Sequence, residues 1–500
     1  MNALQNIRVL LIAIELMAAV APCKAQYDRK WSVGQFNVVL DFKNGVGNPI
    51  VPTNYHLYLY STANTACIYD SLSGKLLYTN GNDIVTDHFD TIPGAYPMPD
   101  SLFANYWHGG YTGHQSSLLL PKDSNEYYHV TVSCSDDSFH QDSSPLNRTY
   151  YGVISRQQDG SFRVIRKRQI ILKDGNVATQ MTATQHANGR DWWIIQKAFC
   201  GNTYYIFLAT PDTIHLFNTQ VFGDSTGYYS DAICMSKFSA QGDKYIFTSF
   251  NHAPEVLTFD RCEGRFTDMQ IVHCPFIQPN GDTLKDSHGN LLYRLRGAAF
   301  SPSGQFIYFN NSYSIVQYDL WAPNPDSTGV AVMRYDSATY NGEPYPLGYP
   351  FLAPNKEIYY DTYGILYAIH SIREPDKKGL ACNYQPMYLP IPDKTSPLPN
   401  AVWFKSGKLA GACDTITGIQ EADLSDGISI YPNPAHDHFR ILSNEPGRTF
   451  SYSICEIAGL EVMSDWTSGE NIIPINLRPG VYILNVRSNG KVAAFKLFVN

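Results

Sequence analysis

Ala298-Ala299-Phe300-Ser301-Pro302-Ser303-Gly304-Gln305-Phe306-Ile307-Tyr308-Phe309-Asn310-Asn311 reads as a short apolar strand, a Ser-Pro-x-Gly turn and an alternating aromatic strand. The turn residues supply the backbone angles that reverse the chain, so the stretch predicts one hairpin of a β unit. The phrase recurs. An earlier copy is Lys237-Phe238-Ser239-Ala240-Gln241-Gly242-Asp243-Lys244-Tyr245-Ile246-Phe247. A later one, a residue shorter and without its glycine, is Leu352-Ala353-Pro354-Asn355-Lys356-Glu357-Ile358-Tyr359-Tyr360. Copies roughly 50 to 60 residues apart, slightly longer than the usual blade repeat, predict a β-propeller of about seven blades.

Composition agrees with an all-β chain. With 35 Tyr, 25 Phe, 36 Gly and 30 Pro against 16% charged residues, strand and turn formers dominate, which excludes a large helical domain. The net charge of -8 is spread along the chain and no Lys/Arg stripe is read, so neither nucleic acid nor an anionic membrane is expected as a partner.

The first 25 residues read as a signal peptide. Arg8 precedes the apolar run Val9 to Ala21, and Cys23-Lys24-Ala25 places small residues before a cleavage at Gln26. The run is too short to span a bilayer, so no transmembrane segment is expected after cleavage. Acylation at Cys23 is the competing reading, and Pro22 before the cysteine fits it poorly. Export permits disulfides among Cys67, Cys134, Cys200, Cys234, Cys262, Cys274, Cys382 and Cys413, with Cys455 left over. Spacing leaves connectivity open; the pairs considered are Cys262 with Cys274 across one hairpin, and Cys382 with Cys413 closing the last blade.

Alternating strands then follow from Phe36 onward. Ala66 to Gly81 reads as the first-blade hairpin, Asp83 to Gly113 as a long loop, and Lys167 to Leu172 as a basic, apolar strand. The propeller is expected over 26–416 and a polar linker over 417–427. Beyond the linker, five or more short strands over 428–500 predict a small β-sandwich.

That last unit resembles the type A sorting domain of the type IX secretion system of Bacteroidetes. The resemblance rests on Tyr431-Pro432-Asn433-Pro434-Ala435, Ala458-Gly459, Leu477-Arg478-Pro479-Gly480-Val481-Tyr482-Ile483-Leu484 and the closing Lys496-Leu497-Phe498-Val499. Cys455-Glu456 departs from the acidic pattern usual before the central glycine, while the flanking strands are intact. The resemblance implies passage through the inner membrane by a signal peptide, recognition of the folded C-terminal domain by the secretion machinery, its removal, and release or surface attachment outside a Gram-negative cell. The propeller is similar to the WD40-like propellers that accompany such domains, through His186-Ala187-Asn188-Gly189-Arg190-Asp191-Trp192-Trp193, Phe259 to Gly264, and Pro375 to Gly379 leading to Cys382.

For chemistry, His186, Arg190, Asp191, Trp192 and Trp193 are the candidate binding residues: a His, a carboxylate and two aromatics suit a sugar or an acid/base site. The bland alternative is a turn at Asn188-Gly189 with a local Arg190–Asp191 contact and tryptophans packed between blades. Asp136, Asp137 and Asp142 lack the spacing of a Ca²⁺ loop, and His436 with His438 read as an exposed strand rather than a metal pair. No S-x-D-x-G-x-T-W, G-x-S-x-G or H-E-x-x-H motif occurs, and no cofactor or catalytic residue is assigned. The expected function is a secreted or surface-displayed, non-enzymatic propeller that binds an extracellular protein or glycan. Its rivals are a propeller hydrolase or lyase acting on polysaccharide, with titratable groups converging on the channel, and an envelope scaffold.

Overall fold

The structure is a computed structural model, and it describes residues 27–409 and 428–500 apart from internal stretches, the longest being 51–64, 99–113, 134–147 and 227–234. Residues 1–25, Asp136, Asp137, Asp142, Cys413, the linker and Gly459 lie outside the described residues. The chain divides into two compact units, Met1–Leu409 and Ala410–Asn500.

In the first unit seven sheets of three or four described strands follow one another, over 30–50, 66–86, 117–173, 177–226, 236–271, 297–334 and 350–390, with a two-stranded pair, Thr339–Tyr340 and Glu343–Pro344, between the last two. They are the seven blades of a β-propeller, here numbered in chain order. Blades 1 and 2 have three described strands and blades 3 to 7 have four, all antiparallel. Each blade's first strand packs on the first strand of the next. Trp31, Val38, Leu40 and Phe42 of blade 1 share an apolar cluster with Tyr359 and Ile369 of blade 7, which closes the ring. The hairpin at Cys67 therefore belongs to the second blade, because Lys30–Val33 and Val38–Asp41 already form the first. Within the expected loop after Asp83, Ile84–Thr86 is a strand paired with Lys75–Thr79.

The repeated phrase is one device, joining the first strand to the second in blades 4 to 7. In blade 6 the Ser301 amide donates to the Phe306 carbonyl and the Gly304 amide to the Ser301 carbonyl, with Gly304 at φ +77°. Ser239, Lys244 and Gly242 repeat this in blade 5, with Gly242 at φ +75°. The shorter copy in blade 7 keeps the same turn: Ala353 donates to Glu357, Lys356 donates to Ala353, and Lys356 itself takes φ +69° where the others use glycine. The fourth copy is in blade 4, where His186 donates to Asp191 and Gly189, at φ +75°, donates to His186.

Disulfide expectations are corrected. Cys274 and Cys382 carry free thiols, as do Cys67 and Cys455, so neither the Cys262–Cys274 nor the Cys382–Cys413 pair forms. Burial explains the first two: Cys274 sits in the apolar cluster around Phe309 and Tyr318, and Cys382 beneath Tyr308 and Tyr360. Cys262 is disulfide-bonded.

In the second unit a three-stranded sheet (Ile428–Tyr431, His438–Ser443, Ile473–Pro474) faces a four-stranded one in the order 461–468, 449–456, 480–488, 491–499. Phe450, Tyr452 and Ile454 point into the core at period two, against Phe439, Leu484 and Leu497. The Tyr431 to Ala435 motif is stitched to the last strand. Asn433 Nδ2 donates to the Lys496 carbonyl at 2.7 Å, its Oδ1 accepts from the Phe498 amide at 2.8 Å, and the Ala435 amide donates to the Phe498 carbonyl at 2.7 Å. Downstream of Pro479, the Tyr482 hydroxyl donates back to the Arg478 carbonyl across the start of Gly480–Ser488.

Candidate functional site: the propeller channel and its exit

First strands of propeller blades line a central channel, and here a later segment of the chain lies against several of them. After blade 7, residues 398–409 run along the first strands as a strap. Asn400, 3% exposed, anchors one end. Its amide donates to the Thr65 carbonyl of the blade 2 approach, and Nδ2 donates to the carbonyls of Ser117 in blade 3 and Met181 in blade 4, both at 2.9 Å. Its Oδ1 accepts from Gln115 Nε2, and Gln115 in turn exchanges two hydrogen bonds with Ser236 of blade 5. Four blades are thus tied through two buried amide side chains. Val402 continues the strap into the apolar core between blades 3 and 4, and Phe404 meets Trp192 and Tyr27 edge-on or tilted.

At the other end the strap leaves past the blade 4 turn. Ser406 Oγ donates to the Ala240 carbonyl, Gly407 N to Gln185 Oε1, and Leu409 N to the Ala187 carbonyl. Arg261 clasps this exit. It is 3% exposed, and its guanidinium donates to the carbonyls of Gln185 (2.7 Å), Gln241 (2.8 Å) and Gly407 (2.5 Å). Burial lowers the Arg261 pKa while Asp243 opposes the shift. Carbonyl dipoles therefore take the place of water around the cation.

The residues singled out from the sequence belong to this exit, and four of the five are turned inward. Asp191 accepts from Arg190 Nε at 2.7 Å and from Asn188 Nδ2 at 2.8 Å, and His186 Nδ1 accepts the Asn188 amide. Burial lowers the His186 pKa, the Asp191 charge opposing it and Arg261 adding to it. Consecutive strand residues face opposite ways, so the two tryptophans part. Trp192 enters the blade 3–4 core; Trp193, 1% exposed, stacks on His186 and donates Nε1 to the Arg261 carbonyl at 2.7 Å. Only the Arg190 side chain, 64% exposed, reaches solvent well. Trp193 also fills the space over Gly264, where any Cβ would sit 2.4 Å from the indole. Sequence reading missed Gln115, Arg261 and Asn400; the recurrent position of Gly189 was the available signal that this cluster is a hairpin turn.

Two small cavities border the strap among the described residues. One cavity of about 10 Å³ lies among Thr65, His114, Gln115, Tyr349, Asp361 and Asn400, room for about one water. A second, of about 30 Å³, lies between Trp403 and Thr182, Thr184, Lys237 and Leu352. Lys237 is buried with Nζ 3.5 Å from the Phe351 ring centre, and burial holds its pKa well below the ordinary lysine value. Small-molecule pockets occupy about 300 Å³ or more, so neither channel cavity admits a sugar residue. Among the described residues no group of three His, Cys, Asp or Glu side chains is placed to hold a metal ion.

The C-terminal unit decides the export route. Residues 429–500 match the family model of the secretion system C-terminal sorting domain. This chain is a β-propeller that carries a type IX secretion sorting domain. The sorting domain directs it to the cell surface or the extracellular space through the secretion machinery. Among the described residues no helix is long and apolar enough to cross a membrane. No curated protein matches the chain. Solved structures with a similar arrangement include hydrazine synthase of Kuenenia stuttgartiensis (12% identity, 68% of this chain and 90% of that one, TM-score 0.39). The Dos1 propeller is similar at 11% identity (65% and 71%, TM-score 0.36). An auxiliary nutrient binding protein from Bacteroides thetaiotaomicron is similar at 11% (68% and 82%, TM-score 0.32).

Proposed function

We propose that the mature chain, the propeller after loss of residues 1–25 and of the sorting domain from 428, is an extracellular binding protein that holds a glycan or protein on its outer surface. The observation that carries this reading is the strap. Residues 398–409 lie against the first strands that face a propeller's channel, and Asn400 and Arg261 fix the strap at both ends. The His186 to Trp193 turn serves as the strap's exit collar, and the binding surface is built elsewhere, on blade edges and loops.

The reading is tested by incubating the purified mature protein with an array of polysaccharides and envelope or host proteins, measuring retention and analysing products together. Retention with unchanged ligand supports it. Shortening of a polysaccharide would replace it with the hydrolase or lyase reading.

A further inference from the structure

The outermost strand of blade 3, Phe162–Lys173, carries Arg163, Arg166, Lys167, Arg168 and Lys173 and no carboxylate, in a chain with 37 basic and 45 acidic residues. Averaged over the chain, this concentration disappears. On the strand, Arg163, Arg166, Arg168 and Lys173 are exposed, and among the described residues no carboxylate pairs with any of them. Lys167 donates to the carbonyls of Tyr96 and Pro97, so it too is held without an anionic side chain in hydrogen-bond contact. Burial and the Arg168 charge lower its pKa, Asp83 opposing them, as expected where cations crowd.

The backbone is shaped to present these groups. Three register shifts interrupt pairing with Arg148–Arg156, between Val164 and Arg166, between Arg166 and Gln169, and between Ile170 and Leu172. Bulges re-aim side chains that a regular strand would alternate. Arg168 adopts φ +54°, a conformation uncommon for a non-glycine residue and often found at functional positions. An edge so interrupted is a poor template for adding another strand, so its contacts run through side chains. A strand of this length extends roughly 35 Å, suited to a linear polymer laid along it.

We infer that the blade 3 edge binds a linear polysaccharide bearing carboxylate or sulfate groups. Guanidinium forks match both anions with paired hydrogen bonds. Nucleic acid is disfavoured because the strand's one aromatic, Phe162, is buried and offers no stacking face. A membrane surface is disfavoured because the exposed apolar residues between the cations are only Ile165 and Ile170. The inference rests on the surface-binding reading above and names its ligand class.

The test uses the full mature protein with polygalacturonate, dextran sulfate and neutral dextran as probes, the first two separating carboxylate from sulfate recognition. The variant Arg163→Gln/Arg166→Gln/Arg168→Asn keeps polar side chains and places at 168 a residue that tolerates positive φ. A control removes the same charge at exposed lysines of blade 7, Lys356→Gln/Lys377→Gln/Lys378→Gln. Circular dichroism and melting temperature establish that both variants fold. The expected result is salt-sensitive binding to at least one polyanion and none to dextran, weakened about tenfold by the arginine variant and little by the control. Equal loss in both variants, or equal binding to double-stranded DNA or anionic vesicles, would overturn the inference. Retention of only neutral glycans or proteins would overturn it while leaving the binding function standing, whereas shortened polymer would overturn the function itself.

Discussion

Arg261 and Trp193 lock each other in place: the indole Nε1 donates to the Arg261 carbonyl at 2.7 Å, while the Arg261 guanidinium reaches on to the Gly407 carbonyl at 2.5 Å. One residue's main chain thus fixes the blade 4 tryptophan and its side chain fixes the strap. Replacing it with methionine keeps the stem, strips three part-buried carbonyls of their donor and leaves the strap unclasped. The expected loss is about 3 kcal/mol in denaturant unfolding, with Arg261→Lys falling between variant and parent. Trypsin should also cut the methionine variant faster at the exposed Lys405 and Lys408.

Asn400→Ala removes two donors and an acceptor from the channel. The Ser117 and Met181 carbonyls and the Gln115 amide would be left buried without that partner. A loss of about 3 kcal/mol is expected. Asn400→Asp should cost at least as much, because a carboxylate would face the same two carbonyls. Urea midpoints of the three proteins provide the comparison.

Acid should destabilise the propeller through His129. It is fully buried in blade 3, and burial pushes its imidazole down to about 3. The unfolded chain binds a proton below about pH 6.5, whereas the folded chain does not until about pH 3. Stability attributable to this site is therefore intact at pH 7 and falls as pH drops through that window, by about 2 to 3 kcal/mol at pH 4.5. His129→Gln should flatten the stability difference between pH 7 and pH 4.5 by that amount. Lowered pKa values at His186 and His215 act in the same direction and leave a residual slope.

Thiol labelling separates the cysteines. Cys67 and Cys274 are fully buried, and burial pushes each thiol up to about 12; burial also raises Cys382. Cys455, partly exposed, should alkylate first in native protein at pH 8, and the other three only after unfolding. Cys262 should label only after reduction. Mass spectrometry that found Cys274 or Cys382 in a disulfide would contradict the structure.

The propeller was legible because its turn repeats: Gly304 and Gly242 mark it plainly, and even the copy without glycine is kept because Lys356 accepts the left-handed conformation. The same repeat explains a misleading cluster. In the blade 4 copy His186 stands where Ser301 and Ser239 stand elsewhere, and the adjoining tryptophans made a structural turn look like a site. The strap could not be read because 398–409 has no strand period. Asn400 gains its role from Ser117 and Met181, 283 and 219 residues earlier, and Arg261 gains its role from Gly407, 146 residues later. The sorting domain was legible because its motifs are mutual partners, Asn433 holding the strand that ends in Leu497-Phe498-Val499. Lys167 to Leu172 was legible as a basic strand; that it continues from Phe162 with Arg163 and Arg166 and lies outermost in blade 3 depends on pairing that the sequence does not state.

Whether the channel is sealed is tested most directly by native-state hydrogen exchange on the mature protein, read by mass spectrometry. The peptide amides of Asn400, Gly407 and Leu409 are expected to exchange as slowly as those of the first strands beside them, Val177–Gln185 and Ser236–Phe238. Exchange of the strap within seconds, with those strands still protected, would mean an open channel and would contradict the account.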